Sequence, residues 1–267
     1  FSCFTLFGVM NAMGAIETYI ETNQLANESV TSVSWIFSIY MFISLFSGIF
    51  VGPLYDTFGA KWLVALGGLL TFIGNFTLAS CTEIWHFILA FGVCTGIGSG
   101  FMMFPTISVI SAWFNKTKRS FFIGLAQSGG SVGGIIFPIL LRYLYPKYGF
   151  TWAIRIFALF NLGIDVLAVF LISDRIHDVK ISLGEIKDEI SFIVKVRQSF
   201  DINTFEDKKF LALVCGLFMN EFSILIVLTY LASYAISYGA TKSESYLMLT
   251  ILNVTGAFGK FIPSYFA

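Results

Sequence analysis

The sequence predicts an all-α membrane protein of about eight spanning helices, six followed after a polar stretch by two more. Three observations predict it. Of the 267 residues, 57% are hydrophobic and only 12% charged, with a mean hydropathy of +0.82, whereas a soluble domain carries about 25% charged residues. Apolar runs near the ~20 residues that cross a hydrocarbon core recur along the chain. The polar stretches between the early runs are short, which makes successive helices antiparallel neighbours.

The spans are expected at roughly 1–20, 31–54, 61–80, 85–113, 120–145, 151–173, 210–238 and 244–266, from length and apolarity alone. The first lacks the basic start and small-residue cleavage site of a secretory signal, so it reads as a shortened first span. The chain opens at Phe1 and closes at Ala267 within another apolar run, and both ends read as cut. The second, third and fourth spans are separated by turns at 57–60 and 81–84, and the next two by 115–119 and 146–150. Lys61, Lys116, Lys118 and Arg119 fall on one side with the later basic residues, whereas Lys147 and Lys242 fall on the other. This bias places the first side in the cytoplasm.

Residues 174–209 are too polar to span, yet Val179, Leu183, Ile186, Ile190 and Ile193 recur at helical spacing opposite Lys180, Glu185, Lys187, Asp188 and Glu189. This predicts an amphipathic helix along the inner membrane surface, or an ordered tether. The expected organisation is six spans over 1–173, a cytoplasmic linker over 174–209 and two further spans over 210–267.

Several functions are disfavoured. Lys plus Arg equal Asp plus Glu at 16 each, so there is no basic excess for nucleic acid. Cys3, Cys81, Cys94 and Cys215 lack the short paired spacings of a zinc site or disulfide framework. No G-x-x-x-x-G-K-S/T loop provides for ATP, and His86 and His177 are too far apart in the topology for a metal site or triad. No nucleophile or acid–base set is recognisable, so the chain is not expected to be an enzyme or to hold a cofactor or metal.

Between spans two and three lies Gly52-Pro53-Leu54-Tyr55-Asp56-Thr57-Phe58-Gly59-Ala60-Lys61. Gly59 suits a tight turn, and Asp56 can accept charge-assisted bonds from a helix N-terminus or a cation. This run resembles the G-x-L-x-D-x-x-G-x-K/R signature of the major facilitator superfamily. Trp113-Phe114-Asn115-Lys116 through Arg119, followed by Gly124, Ala126, Gly129 and Gly133, is similar to the loop and fifth span of its monocarboxylate-transporter-like family. Ser34-Trp35-Ile36 and Gly149-Phe150-Thr151-Trp152-Ala153-Ile154-Arg155 resemble the fungal branch. The resemblance implies a twelve-helix fold in two halves, of which this chain holds the first and two helices of the second. It also implies a secondary transporter working by alternating access on a small organic solute, a monocarboxylate-like anion or a vitamin such as riboflavin. A non-transporting sensor or scaffold of the same fold is the alternative.

Independently of any family, Gly92, Gly96 and Gly100, with Gly129 and Gly133 or Gly130 and Gly134, form small-residue faces that let helix backbones approach. Ionisable groups within spans need a partner, a cavity or a function. Asp165, one turn after Asn161, reads as half of a structural hydrogen-bonded pair. Glu17 and Glu21 are expected to be solvated at the outer mouth. Glu221 falls near the midplane of span seven, and Lys260 sits where the resembled family often carries an anion-binding arginine. The family's acid one turn earlier is matched by Gly256, and its first-span lysine falls near Met13. Glu221 therefore stands as a replacement acid, or the two charges form a structural pair. By resemblance, Asn11, Tyr40, Gln127 and Asn253 are further cavity candidates, each serving equally well as an interhelical hydrogen bond. Gly52, Asp56, Gly59 and Lys61 form the expected cytoplasmic gate. The expected partners are the lipid bilayer, a small-molecule substrate and a coupling proton, and the plasma membrane is the expected location.

Overall fold

The computed structural model describes residues 1–173 and 206–241, and beyond them positions 244, 247–248, 251–252, 254–256 and 258–259. Among the described residues every regular element is helical. The expected linker helix lies largely outside them, as do Asn253 and Lys260.

Helix α1, Ser2–Tyr19, runs on through a wide helical turn at Ile20–Gln24. Ser29 caps α2, Val30–Phe46, by accepting a 3.1 Å bond from the Ser32 N–H, which satisfies one of the free donors of the first turn. The expected second span is then broken. Helix α3, Gly48–Phe58, continues α2 at a 43° bend, at the Ser47-Gly48 step, where a Ser/Gly pair relaxes the helical ladder. Helix α4 spans Ala60–Leu78. The short α5, Ile84–Phe87, passes through a wide-turned stretch, Ile88–Thr95, into α6, Gly96–Trp113. Thr95 donates to the Ala90 carbonyl five residues back at 3.1 Å, matching that wider register.

The expected loop at 146–150 contracts to a single residue. Helix α7, Lys116–Leu171, is interrupted only at Gly149, with φ 69° and ψ 178°, a conformation open essentially to glycine. Its limbs, 116–148 and 150–171, occupy the expected fifth and sixth spans. Helix α8, Lys208–Ser237, covers the seventh, and Asp207 caps it by accepting from the Lys209 N–H at 2.9 Å. Among the described residues Ser2–Gln24, Ala60–Leu78, Ile84–Trp113 and Lys118–Leu171 are long and apolar enough to cross a membrane, and the bent α2–α3 pair makes a fifth such span. Lys118–Leu171, at 54 residues, is long enough for two crossings of ~20 residues each.

The bundle packs α1 against both limbs of α7, α4 against α6 and α7, and α2 against the Ile88–Thr95 stretch and α6. Edge-on aromatic contacts join α1 to α7 and the two limbs of α7 to each other: Phe4 meets Phe137 with ring centroids 5.1 Å apart, and Phe137 meets Phe157 at 5.0 Å. At one end of the bundle Tyr19 stacks on Tyr145 at 3.9 Å and Phe150 lies 5.6 Å from Tyr19. The break at Gly149 brings Phe150 into that stack. Outward-facing Phe42, Trp62 and Phe170 are exposed, as expected of a surface whose solvent is lipid.

Cys81 lies in the turn between α4 and α5, outside the spans. Burial pushes its thiol up to about 11, so at neutral pH only about one molecule in ten thousand carries the reactive thiolate. Maleimide labelling of Cys81 in the folded protein is expected to be negligible at neutral pH, to rise as pH approaches 11 and to become fast on denaturation. Fast labelling at neutral pH without denaturant would contradict this environment.

Candidate functional site

Glycine sets the geometry of the bundle. Gly92, Gly96 and Gly100 present one face to α2: a Cβ at Gly92 would lie 3.1 Å from Ile39, one at Gly96 3.2 Å from Ile43, and one at Gly100 would collide with the Ser47 hydroxyl. On α7 it is Gly130 and Gly133 that meet α1. A Cβ on Gly133 would stand 2.7 Å from the Gly8 Cα, and one on Gly130 would collide with Phe7. The small-residue face expected on the fourth span is therefore a site of close backbone approach, whereas on α7 the tight contacts fall at Gly130 and Gly133, one from each of the two expected pairs.

The expected gate motif forms a sharp corner. Gly59, with φ 78° and ψ 169°, ends α3 and begins α4 with no further residue between them. Its N–H still donates to the Tyr55 carbonyl at 2.9 Å. Asp56 is exposed, and it is engaged rather than free. Lys61 and Gly52 are exposed on either side of the corner.

The cavity candidates fall in different settings. Asn11 donates from Nδ2 to the Gly130 carbonyl at 3.2 Å, joining α1 to α7. Tyr40 is fully buried, 4.7 Å centroid to centroid from Phe91, and its hydroxyl pairs with that of Ser99 at 3.1 Å. Both make the interhelical bonds that the sequence left open. Gln127 is half-buried on α7, and Glu221 is exposed on α8.

Two polar residues differ from expectation. Glu17 is half-buried and accepts a 2.8 Å bond from the Ser34 hydroxyl of α2, so it ties α1 to α2 instead of standing solvated. Asp165 is buried, and its partner is Thr5 on α1, which donates to Oδ1 at 2.6 Å. Asn161 instead donates to the Phe157 carbonyl of its own helix at 3.0 Å. Sequence spacing pairs residues one turn apart on a helix, whereas the helix packing brings α1 to the same carboxylate.

Sequence reasoning also missed Asn75 of α4 and Ser99 of α6, which line a small internal cavity together with Thr5, Asn161 and Asp165. An asparagine in an apolar span was the available signal. Arg155, from the Gly149–Arg155 run, reaches across to the Ser80 hydroxyl at 3.1 Å and lies over the rings of Phe76 and Trp152. Trp113 donates to the Ser173 carbonyl at 2.8 Å. These contacts pin the 150–171 limb at both ends, to the turn after α4 and to the end of α6.

The arrangement of short turns, glycine-lined interfaces and a charged corner between α3 and α4 has clear counterparts. The chain is 36% identical over 278 residues to the riboflavin transporter MCH5 of Saccharomyces cerevisiae, covering 99% of this chain and 53% of that protein. It is 31% identical over 265 residues to the aspyridones efflux protein apdF of Emericella nidulans, covering 99% of this chain and 51% of that one. The chain thus spans about half the length of these curated relatives. Among solved structures, the proton:xylose symporter XylE bound to 6-bromo-6-deoxy-D-glucose superposes with a TM-score of 0.72 at 14% identity, over 98% of this chain and 66% of that one. The E. coli XylE in a partially occluded inward-open conformation gives 0.69 at 14% identity, over 96% and 68%. The profile of the Major Facilitator Superfamily matches residues 1–267 in full. Fold, motif and relatives agree, and the chain belongs to the major facilitator superfamily.

Proposed function

We propose that this chain is the six-helix bundle, linker and first helices of the second bundle of a secondary transporter that moves a small organic solute across a membrane by alternating access. The observation that carries the proposal is the 36% identity to a riboflavin transporter across 99% of the chain. Riboflavin or a similarly flat organic molecule is the first substrate class to test, and a monocarboxylate-like anion the second. Residues 1–173 act as one rigid half, 174–209 as the cytoplasmic linker and 210–267 as the start of the opposing half. The solute binds near the midplane between the halves. The Gly52–Lys61 corner serves as the inner gate, and the plasma membrane is the proposed location.

The experiment is uptake by the whole carrier in cells and proteoliposomes, with labelled riboflavin and labelled monocarboxylates in parallel. Saturable, competable accumulation of one class is expected. A correctly inserted protein that accumulates neither, and exchanges neither in counterflow, would contradict this substrate assignment.

Glu221 and Lys260 are proposed as a coupled pair across the substrate cavity, Lys260 attracting an anionic group and Glu221 available to a proton. Glu221 is exposed in this chain. The pair would be buried only once the remaining helices of the whole carrier close around it, where breaking one half of a buried pair costs about 3–5 kcal/mol, more than removing both. Glu221→Gln and Lys260→Gln are each expected to impair expression and uptake severely, and the double substitution to restore folding. Additive defects in the double mutant would refute the coupling.

A further inference from the structure

Asp165 stands on the 150–171 limb of α7 and is 3% exposed. The cavity it lines is bounded by α1, α4, α7 and the segment from Ile88–Thr95 into α6, and no Lys, Arg or His is among its lining residues. A bare carboxylate without a cation is costly inside a membrane-embedded bundle.

The hydrogens around this cavity are too few for its acceptors. Asn75 and Asn161, 2% and 5% exposed, donate their amide hydrogens to the Thr71 and Phe157 carbonyls at 2.9 and 3.0 Å. Their side-chain oxygens are left buried with no partner. Turning either amide over would set its oxygen against a carbonyl, so the oxygens must stay where they are. The neighbouring hydroxyls are already committed: Thr71 donates to the Gly68 carbonyl at 2.9 Å and Thr95 to that of Ala90 at 3.1 Å. Thr5 has one hydrogen for two acceptors, Asp165 Oδ1 at 2.6 Å and the Ser2 carbonyl at 3.1 Å. Tyr40 and Ser99 share a bond that leaves at most one of their hydrogens for the cavity. The space, about 10 Å³ for the centre of a water, is about what one water molecule needs. One water brings two hydrogens, and a proton on the carboxyl brings a third while removing the uncompensated charge.

We propose that Asp165, Asn75 and Asn161 form a proton-binding site inside the bundle, in which Asp165 takes the proton and the two amide oxygens accept hydrogens from the carboxyl and a single water. The proton arrives from and returns to water, and no other bond changes. Among the titratable groups nearby, the Tyr40 phenol pairs with Ser99. The cavity linings of α4, α6 and the Ile88–Thr95 stretch carry no charged side chain. The site deepens the carrier reading by naming where a coupling proton would reside.

The test is an infrared titration of the purified whole carrier, reading the C=O stretch of a buried protonated carboxyl, to which amines and phenols contribute nothing. The band is expected in the native protein and lost in Asp165→Asn. Should that variant fail to fold, Thr5→Val, which keeps the carboxyl and removes its donor, is expected to shift the band. Absence of the band in the native protein, or its persistence in Asp165→Asn, would overturn the proposal, as would an unshifted band in Thr5→Val. In proteoliposomes Asp165→Asn, which resembles the protonated form, is expected to lose most accumulation driven by a proton gradient. Gradient-driven accumulation equal to the native protein's would also overturn it. A native carrier that moves no solute would remove the transport reading and leave the infrared result standing.

Discussion

Gly98→Ala is expected to destabilise the bundle by about 1–3 kcal/mol, and Gly98→Val by more. A Cβ on Gly98 would lie 2.7 Å from the Gly67 carbonyl oxygen and 2.8 Å from the Thr71 nitrogen, and a Cβ on Gly67 would lie 2.7 Å from the Gly98 carbonyl oxygen. The obstacles are backbone atoms on both sides, so no side chain can turn away to admit a methyl group. The axes of α4 and α6 must separate instead. Within a membrane there is little hydrophobic force to draw them back, because lipid tails are as apolar as the helices, and close packing supplies much of the association. Gly163 provides the control. It lies in the helical 150–171 limb with nothing within 4 Å of its Cβ position, so Gly163→Ala is expected to be neutral or to gain up to about 1 kcal/mol from helix propensity. Thermal melting of the two variants, followed by size-exclusion chromatography in detergent, should move in opposite directions. A Gly98→Ala protein that melts at or above the native temperature would show that α4 and α6 do not touch as described.

Asp56→Asn is expected to leave folding nearly unchanged and to reduce transport by the whole carrier about tenfold to a hundredfold. Asp56 lies in the last turn of α3, where the helix dipole disfavours an acid, but α4 begins at Ala60, directly after the Gly59 corner. The positive end of the α4 dipole, starting there, therefore offsets that penalty. Because the side chain is exposed, its charge contributes about 0.3–1 kcal/mol to the fold. In the proposed gate, one of the two alternating states would use this carboxylate in a charge-assisted bond worth about 1.5–3 kcal/mol. Asparagine keeps the shape and removes the charge, so the balance between the states shifts without unfolding either. Membrane insertion and melting temperature, measured beside uptake, separate the two effects. Native turnover in Asp56→Asn would end the gating assignment.

The first six spans were legible in the sequence because a hydrocarbon solvent imposes a length and an apolar composition on every helix that crosses it. The Gly59 corner was legible too, since few residues other than glycine reverse the chain at φ 78°. Glycine spacing on α6 marked its contact face because helical periodicity sets four-residue neighbours side by side. Helix breaks were harder to read. The 43° bend at Ser47-Gly48 and the contraction of 146–150 to Gly149 depend on how the rods pack, and both are invisible to a hydropathy average.

Partners across helices were decided by the tertiary structure alone. Asp165 and Asn161 share a face of one helix, which is all that sequence separation reveals. That Thr5, 160 residues away, supplies the donor was fixed by α1 lying against α7. Glu17 found Ser34 in the same way, and Asn75 joined Asn161 at one cavity across two helices. Sequence determined which segments lie in the membrane and where their backbones can come close, through solvent and sterics acting locally. The pairing of buried polar groups follows from the rotation and register of packed helices, a property of the whole bundle that no single segment carries.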